Sequence, residues 1–233
     1  MLATIINAAL ILIGSAVGLL CKNLISEKLM SILTYALGLC VVGIGIKGMV
    51  GTENTLCVIV CMVVGTVIGH ALRIEERLER GGELLRSKLS HSGGRFTEGF
   101  VNASLLFCVG AMAITGSLEA GMNHNYSILI SKGVIDGVTS ISFAAAMGIG
   151  AAFSVVPLLL YQGLLTLLAG WLGPLLSQPV VTEMSAVGGT LILAIGINML
   201  GLGKEHIKVG NMLPAAFLPI AYIPLAQWLA GLF

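Results

Sequence analysis

The sequence predicts an all-α membrane protein, a polytopic bundle of about eight transmembrane helices, and two observations carry this prediction. The first is composition: 57% of the 233 residues are hydrophobic and only 10% are charged, with a mean hydropathy of +1.01. A soluble domain carries about a quarter charged residues, so this chain has too few charges to cover a surface that faces water. The second is that long charge-poor runs alternate with short polar segments. A helix needs about 20 apolar residues to cross a bilayer.

Eight runs of roughly that length follow one another along the chain. The fifth and sixth are the hardest to separate, because residues 136–172 are almost uncharged and too long for one crossing at about 1.5 Å per residue. Pro157, with Gly148 and Gly150 just before it, predicts a tight turn near residues 153–156. The predicted spans are Ala3–Cys21, Leu29–Val50, Asn54–Leu72, Gly99–Leu118, Tyr126–Ala152, Ser154–Leu176, Met184–Gly203 and Asn211–Leu232.

Basic residues predict the orientation of these spans. If the crossings alternate, ten lysines and arginines fall on one side and only Lys47 and Lys132 on the other. Cytoplasmic loops carry the excess of basic residues, so both termini are predicted to be periplasmic or extracellular. A single crossing by residues 136–172 would move Lys204 and Lys208 outside, which favours eight spans over seven. The ten are Lys22, Lys28, Arg73, Arg77, Arg80, Arg86, Lys88, Arg95, Lys204 and Lys208.

The polar segment 73–98 divides the chain into a first membrane part, residues 1–72 with three spans, and a second, residues 99–233 with about five. Its apolar residues recur near helical spacing and its charges nearly cancel, so it is predicted to be an amphipathic linker on the cytoplasmic face. Short matches cross this division between spans that run in opposite directions, as an inverted repeat would give. They pair Asn7–Leu10 with Asn102–Leu105, and Gly45–Lys47 with Gly196–Asn198.

A charged pair inside the fifth span is the most informative polar feature. Asp136 lies about 15 Å into that span at 1.5 Å per residue, well within the hydrocarbon. Lys132 precedes it by one helical turn on the same face, so the two side chains can pair. Charged groups at this depth are costly and often functional. Two interpretations stay open, a structural ion pair or an ion or proton site that the pair gates.

Other polar residues fall in or beside the spans. Together with the pair they predict a polar path for a solute or ion, while each alone also fits a hydrogen bond between helices or, for Glu119, a place among lipid headgroups. Glu183 precedes the seventh span and is predicted to cap it. Three prolines, Pro214, Pro219 and Pro224, are predicted to break up the eighth. The candidate path residues are Lys132, Asp136, Glu119, Gln162, Asn198, Asn102 and Asn211.

Glycines at four-residue spacing predict close helix packing. The chain has 31 glycines, and small residues let helices approach each other in lipid. Glycine faces of this kind also leave homodimerisation open. The three motifs are Gly14 with Gly18, Gly65 with Gly69, and Gly133 with Gly137.

Signatures of enzymes are missing from the sequence. The four histidines, His70, His91, His124 and His206, are scattered, and no H-E-x-x-H, G-x-S-x-G or phosphate-binding G-x-x-x-x-G-K-[ST] motif occurs. We therefore expect no catalytic residue, metal or cofactor. The net charge of +1 does not suggest a nucleic-acid partner, and the expected partner is the lipid bilayer.

The second half carries a series of motifs: Phe107–Cys108, Gly116–Met122, Ser127–Lys132, Asp136, Ser185–Gly189 and Val209–Ala215. In that order they resemble the DUF554 family of bacterial inner-membrane proteins. The resemblance covers nearly the whole chain and implies a bacterial cytoplasmic membrane, but no established substrate. The family pattern can read Gly-Asp-Pro before Ser127, where this chain has Asn123–Tyr126; Asn125 still suits a helix start.

Two functions remain in view at this point. The first is a transporter or channel for a small solute or ion, which requires buried polar residues to converge on one cavity. The alternative is a non-transporting membrane scaffold or accessory subunit, in which the same residues are paired with one another and dry.

Overall fold

The computed structural model describes residues 1–22, 27–77, 80, 96–108, 110–203 and 205–230, and the regular elements in them are helices without any strand. The prediction of an all-α fold is confirmed. The elements are α1 (Leu2–Lys22), α2 (Glu27–Val50), α3 (Thr55–Ala71), α4 (Phe96–Cys108), α5 (Ala111–Met122), α6 (Ser127–Met147), α7 (Gly150–Phe153), α8 (Val155–Leu167), α9 (Ala169–Leu172), α10 (Gln178–Leu200), a 3₁₀ helix (Val209–Phe217) and α11 (Pro219–Ala230).

Five helical segments of the described chain are long and apolar enough to cross a membrane: α1, α2, α6, α7 with α8, and α10. The count rises to as many as seven if two bent pairs, α4 with α5 and the 3₁₀ helix with α11, each form one span. The apolar helix α3 is shorter, at 17 residues. The structure is therefore a polytopic helical bundle, and the number of eight crossings stays a prediction.

The fourth predicted span, Gly99–Leu118, is not one continuous helix. Helices α4 and α5 meet at an angle of 57°. Gly110 lies at the break with φ of +137°, a conformation that favours glycine. The pair α4 and α5 still runs along the full length of α7 and α8. Phe96 contacts Gly150 at one end, and Gly121 contacts Thr166 at the other. The bent pair therefore extends as far along the bundle as a single span would, and whether it crosses the membrane once stays a prediction.

The turn between the fifth and sixth spans lies earlier than residues 153–156. Helix α6 ends at Met147, Gly148 has φ of +85°, and a new helix starts at Gly150. The stretch is thus divided in two as predicted, but a glycine in a left-handed conformation makes the turn. Pro157 falls in the first turn of α8, where the missing N–H of proline costs little.

The last predicted span consists of two helical pieces. The 3₁₀ helix contains Pro214 and meets α11 at an angle of 43°, with Pro219 as the first residue of α11. Pro224 lies inside α11. The break predicted from the prolines therefore lies between Phe217 and Pro219.

Glycines bring three helices of the first part against three of the second, at distances that leave no room for a side chain. A Cβ atom added at Gly14 would lie 2.1 Å from the carbonyl oxygen of Gly137, and one at Gly69 would lie 1.9 Å from that of Asn211. Helix α1 packs in parallel along α6, α2 antiparallel along α10, and α3 antiparallel along the 3₁₀ helix. Gly14, Gly18, Gly65, Gly69, Gly133 and Gly137 all lie in these contacts.

The three-part division of the chain stays a prediction. Residues 78, 79 and 81–95, which make up most of the predicted amphipathic linker, lie outside the described residues. The two flanking parts pack against each other along their helices. The inverted repeat likewise remains a hypothesis: Gly45 and Gly196 both lie in the contact of α2 with α10, but α1 packs along α6 and not along α4.

Candidate functional site

The charged pair on α6 is buried in the bundle. Lys132 and Asp136 are each 5% exposed, and the Lys132 ammonium donates a hydrogen bond to Asp136 Oδ2. Their spacing of four residues places both on one face of α6, as the sequence predicted. Charges at this burial require partners, and the bundle supplies further polar groups from two other helices.

Asn7 of α1 and Gln162 of α8 extend the pair into a cluster of four residues, which we call the polar cluster. Asn7 Nδ2 donates to Asp136 Oδ2 at 3.1 Å and lies 3.4 Å from Gln162 Oε1. Both amide side chains are fully buried. The close approach of α1 to α6 depends on Gly133. A Cβ atom added at this glycine would lie only 3.1 Å from the Cα atom of Asn7.

The polar cluster retains unused hydrogen-bonding capacity. Asn7 Oδ1 and Gln162 Nε2 are buried and have no hydrogen-bond partner among the described residues. The hydrogen bonds of the Asp136 carboxylate within the described chain all go to Oδ2. Buried polar atoms are normally satisfied, so the cluster is not a closed hydrogen-bonded network within the described chain. Neither Asn7 nor Gln162 lines the cavity that adjoins the charged pair.

A cavity of about 490 Å³ adjoins the pair. Lys132 and Asp136 line it together with Gly110 at the break between α4 and α5. It extends to Gly51, just after the C-terminus of α2, and to Gln178, at the start of α10. We call this end of the bundle, where the chain also begins, the N-terminal side. The cavity thus connects that end of the bundle with the charged pair deep inside it.

Several predicted path residues lie elsewhere and are bonded to loops. Asn198 holds the backbone N–H and the carbonyl of Ile207 at 2.9 Å each, which closes the turn after α10. Asn211 Oδ1 accepts from the backbone N–H of Glu75 at 2.9 Å. Glu119 is partly exposed near the end of α5 and accepts from Asn123 at 3.1 Å. None of these three lines the cavity.

Asn102 stands apart from both groups. It is 5% exposed on α4, and its Nδ2 atom has no hydrogen-bond partner in the described part of the chain. It does not line the cavity. Of the seven predicted path residues, the structure therefore brings together three: Lys132, Asp136 and Gln162.

The prediction that Glu183 caps its own helix was wrong. Helix α10 begins five residues earlier, at Gln178. The Glu183 carboxylate is 2% exposed and accepts from Thr52 Oγ1 at 2.7 Å and from the backbone N–H groups of Glu53 and Asn54 at 2.8 and 3.0 Å. It holds the loop that leads into α3.

Two residues of the site are not among the candidate path residues predicted from the sequence. Asn7 is an amide within an apolar run, and that contrast is a usable signal. Lys47, a basic residue on the sparsely charged side, lines the cavity together with Lys132. Neither contact was visible in sequence, because each joins segments far apart in the chain.

The fold and these buried polar groups define a polytopic α-helical membrane protein. The model of the family described as "Protein of unknown function (DUF554)" matches residues 2–223, and the chain belongs to this family. It is 32% identical over 223 residues to the uncharacterized membrane protein YdfK of Bacillus subtilis (strain 168), which covers 94% of each chain. It is also 32% identical over 231 residues to the uncharacterized protein YqgA of Escherichia coli (strain K12), covering 97% of this chain and 96% of the relative. No solved structure matches the chain significantly.

Proposed function

We propose that the protein is a transporter or channel for a small solute or ion, and that the solute meets the protein in the cavity beside Lys132 and Asp136. The observation that carries the proposal is a buried ion pair that lines a cavity of about 490 Å³. A purely structural pair is expected to be enclosed by packed side chains. Binding sites for small molecules have volumes of about 300–1,000 Å³, which includes this one.

Aromatic packing beyond the cavity supports a closed state on the other side. Phe107 lines the cavity, and its ring centroid lies 6.4 Å from that of Phe143. Phe143 is fully buried and lies two turns further along α6 than Asp136. In a transport cycle this geometry corresponds to a site open toward the N-terminal side, with the opposite side closed by the Phe107–Phe143 contact.

The scaffold alternative rests on a different observation. The side chains of Glu183, Asn198 and Asn211 each form hydrogen bonds with loops between helices. These bonds stabilise the bundle, and the three side chains do not line the cavity. They restrict the proposed path to the polar cluster and the cavity, and we propose no catalytic role for any residue.

The location we propose is the bacterial cytoplasmic membrane, with both termini in the periplasm or outside the cell. The ten-to-two distribution of basic residues supports this orientation. Homodimerisation is part of the proposal because the cavity also opens sideways. Ile44 and Ile135 line it and are 47% and 55% exposed, so lipid or a second copy would cover them.

The orientation gives a direct test. A reporter fused after Phe233 is expected to behave as periplasmic, and one inserted near Ser92 as cytoplasmic, because the second site lies among the basic residues. Paired alkaline phosphatase and green fluorescent protein fusions at both sites would measure this. A cytoplasmic C-terminus would contradict eight alternating crossings.

Transport itself is tested with proteoliposomes and a broad panel of radiolabelled ions and small solutes. The wild-type protein is expected to accelerate uptake of at least one. The variant with Lys132→Met and Asp136→Leu, which removes both charges together, is expected to fold and to lose most of that uptake. Lys28→Met serves as the control, since Lys28 is exposed on α2 and does not line the cavity. Full uptake by the double variant would remove the pair from the mechanism.

A further inference from the structure

We propose that the cavity binds a small organic anion, with an acidic group near Lys132 and an apolar body along the cavity wall. This inference rests on the proposed function and names its substrate class. Four features support it: the charges that line the cavity, the unused hydrogen-bond donors of Lys132, the start of α5 at Gly110 and the apolar wall.

The charges at the cavity favour an anion. Two basic residues, Lys47 and Lys132, and one acidic residue, Asp136, line it. Because Lys132 and Asp136 neutralise each other, Lys47 leaves an excess positive charge. Lys47 is exposed near the end of α2, on the side where the cavity opens. A positive charge at this position attracts anions from solution toward Lys132, deeper in the cavity.

Lys132 can bond a solute without giving up its present partner. An ammonium group has three N–H donors, and within the described chain the acceptor for Lys132 is a single oxygen of Asp136. Lys132 is 5% exposed and lines the cavity. An ammonium with donors to spare at this burial suits an acceptor such as a carboxylate, since a charge-assisted hydrogen bond is strong in a poorly solvated place.

The start of α5 lies at the same cavity. Gly110 is the N-cap of this 12-residue helix and makes no side-chain capping bond, and both Gly110 and Met112 line the cavity. The N–H group of Ala113 is bonded to the Gly110 carbonyl at 3.1 Å. The start of a helix carries partial positive charge, so this end of α5 adds to the attraction of Lys47 and Lys132 for an anion.

The remaining wall is mostly apolar. Ile44, Leu106, Phe107, Ile135, Val181 and Ile192 line it. A cavity of about 490 Å³ is larger than an inorganic anion needs and has the size of a site for a small organic molecule. A short monocarboxylate, with one charge and a hydrocarbon body, matches both the donors and the wall.

The test compares two probes that share one body and differ in charge. Purified full-length protein in nanodiscs of uncharged phosphatidylcholine is titrated with butyrate or butylammonium at constant ionic strength, and binding is measured by saturation-transfer NMR. Butyrate is expected to bind at least about 10-fold more tightly than butylammonium. The excess positive charge of the cavity attracts the butyrate anion and repels the butylammonium cation. Equal binding, or tighter binding of butylammonium, would overturn the proposal.

Matched variants locate the site. Lys47→Met is expected to weaken butyrate binding about 3- to 10-fold, because it removes the excess positive charge. The Lys132→Met, Asp136→Leu variant leaves that excess unchanged but removes the ammonium donors, and it is expected to weaken binding more. Lys28→Met is the control, because Lys28 is also exposed on α2 but lies at the other end and does not line the cavity. Equal losses from Lys28→Met and Lys47→Met would overturn the site.

Two further results separate this proposal from the transport function. Displacement of butyrate by a few per cent of phosphatidylglycerol would assign the site to a lipid headgroup and overturn a soluble solute. Butyrate binding without flux of any solute would support the anion site and contradict transport. Flux of cations without butyrate binding would support transport and overturn the anion site.

Discussion

Replacing Lys132 with Met is expected to destabilise the folded protein by about 3–5 kcal/mol, the cost of removing one partner of a fully buried ion pair. The change leaves the carboxylate of Asp136, which is 5% exposed, with Asn7 as its remaining donor among the described residues. Asp136→Leu is expected to act in the same direction, because it leaves the Lys132 ammonium without a countercharge.

Removing both charges together is expected to restore much of the loss. In the double variant Lys132→Met, Asp136→Leu, no buried charge remains unpaired, and replacing a buried pair by apolar residues of similar volume is often neutral or stabilising. Equilibrium unfolding in mixed micelles of dodecyl sulfate would give the four free energies of unfolding. The coupling energy of this cycle measures the pair itself.

An exposed pair with the same spacing provides the control. Glu76 and Arg80 lie four residues apart with 3.9 Å between Oε2 and Nη2, and their side chains are 46% and 74% exposed. Pairs of this kind contribute about 0.3–0.5 kcal/mol, so Glu76→Gln is expected to change stability little. A wild-type free energy of unfolding for Lys132→Met would contradict the expected destabilisation, and would show that Asp136 takes a proton or is solvated through the cavity.

The sequence was informative about the pair because the relevant geometry is local. A separation of four residues in a helix fixes neighbouring side chains whatever the rest of the fold does, so Lys132 and Asp136 were recognised together. Asn7 joins the same cluster across 129 residues of sequence. That contact depends on how α1 packs along α6, which no local pattern determines.

The helix breaks show a similar limit. Gly110 and Gly148 both adopt positive φ. In sequence Gly110 is one of 31 glycines, and Gly148 indicated a turn together with Gly150 and Pro157 but did not fix its position. The proline-rich last span was easier, because proline lacks the backbone donor that a helix interior requires. Glu183 was misplaced because helix ends are poorly defined in sequence, and a start at Gln178 moves it into the second turn.

The second large effect is expected from the glycine contact of α1 with α6. Gly14→Ala would place a Cβ atom 2.1 Å from the carbonyl oxygen of Gly137 and 2.3 Å from Ser140 Oγ, so the two helices must move apart. Overpacking typically costs about 1–3 kcal/mol, and we expect the upper end or more, because the contact is with the backbone. Separation would also strain the hydrogen bonds from Ser140 Oγ to the Ile11 carbonyl, 3.0 Å, and from Asn7 to Asp136, 3.1 Å.

Two other glycines rank this effect. A Cβ atom at Gly137 would lie 3.1 Å from the Leu10 carbonyl oxygen, so Gly137→Ala is expected to cost less than Gly14→Ala. Gly43 of α2 is exposed with nothing within 4 Å of an added Cβ atom, and Gly43→Ala is expected to be neutral or to stabilise the helix by up to about 1 kcal/mol. Unfolding of the three variants in mixed micelles should follow this order. A loss of stability for Gly43→Ala as large as that for Gly14→Ala would show that lipid or a second copy packs against α2 at Gly43. Equal stability of Gly14→Ala and the wild type would contradict the close contact of α1 with α6, on which the polar cluster depends.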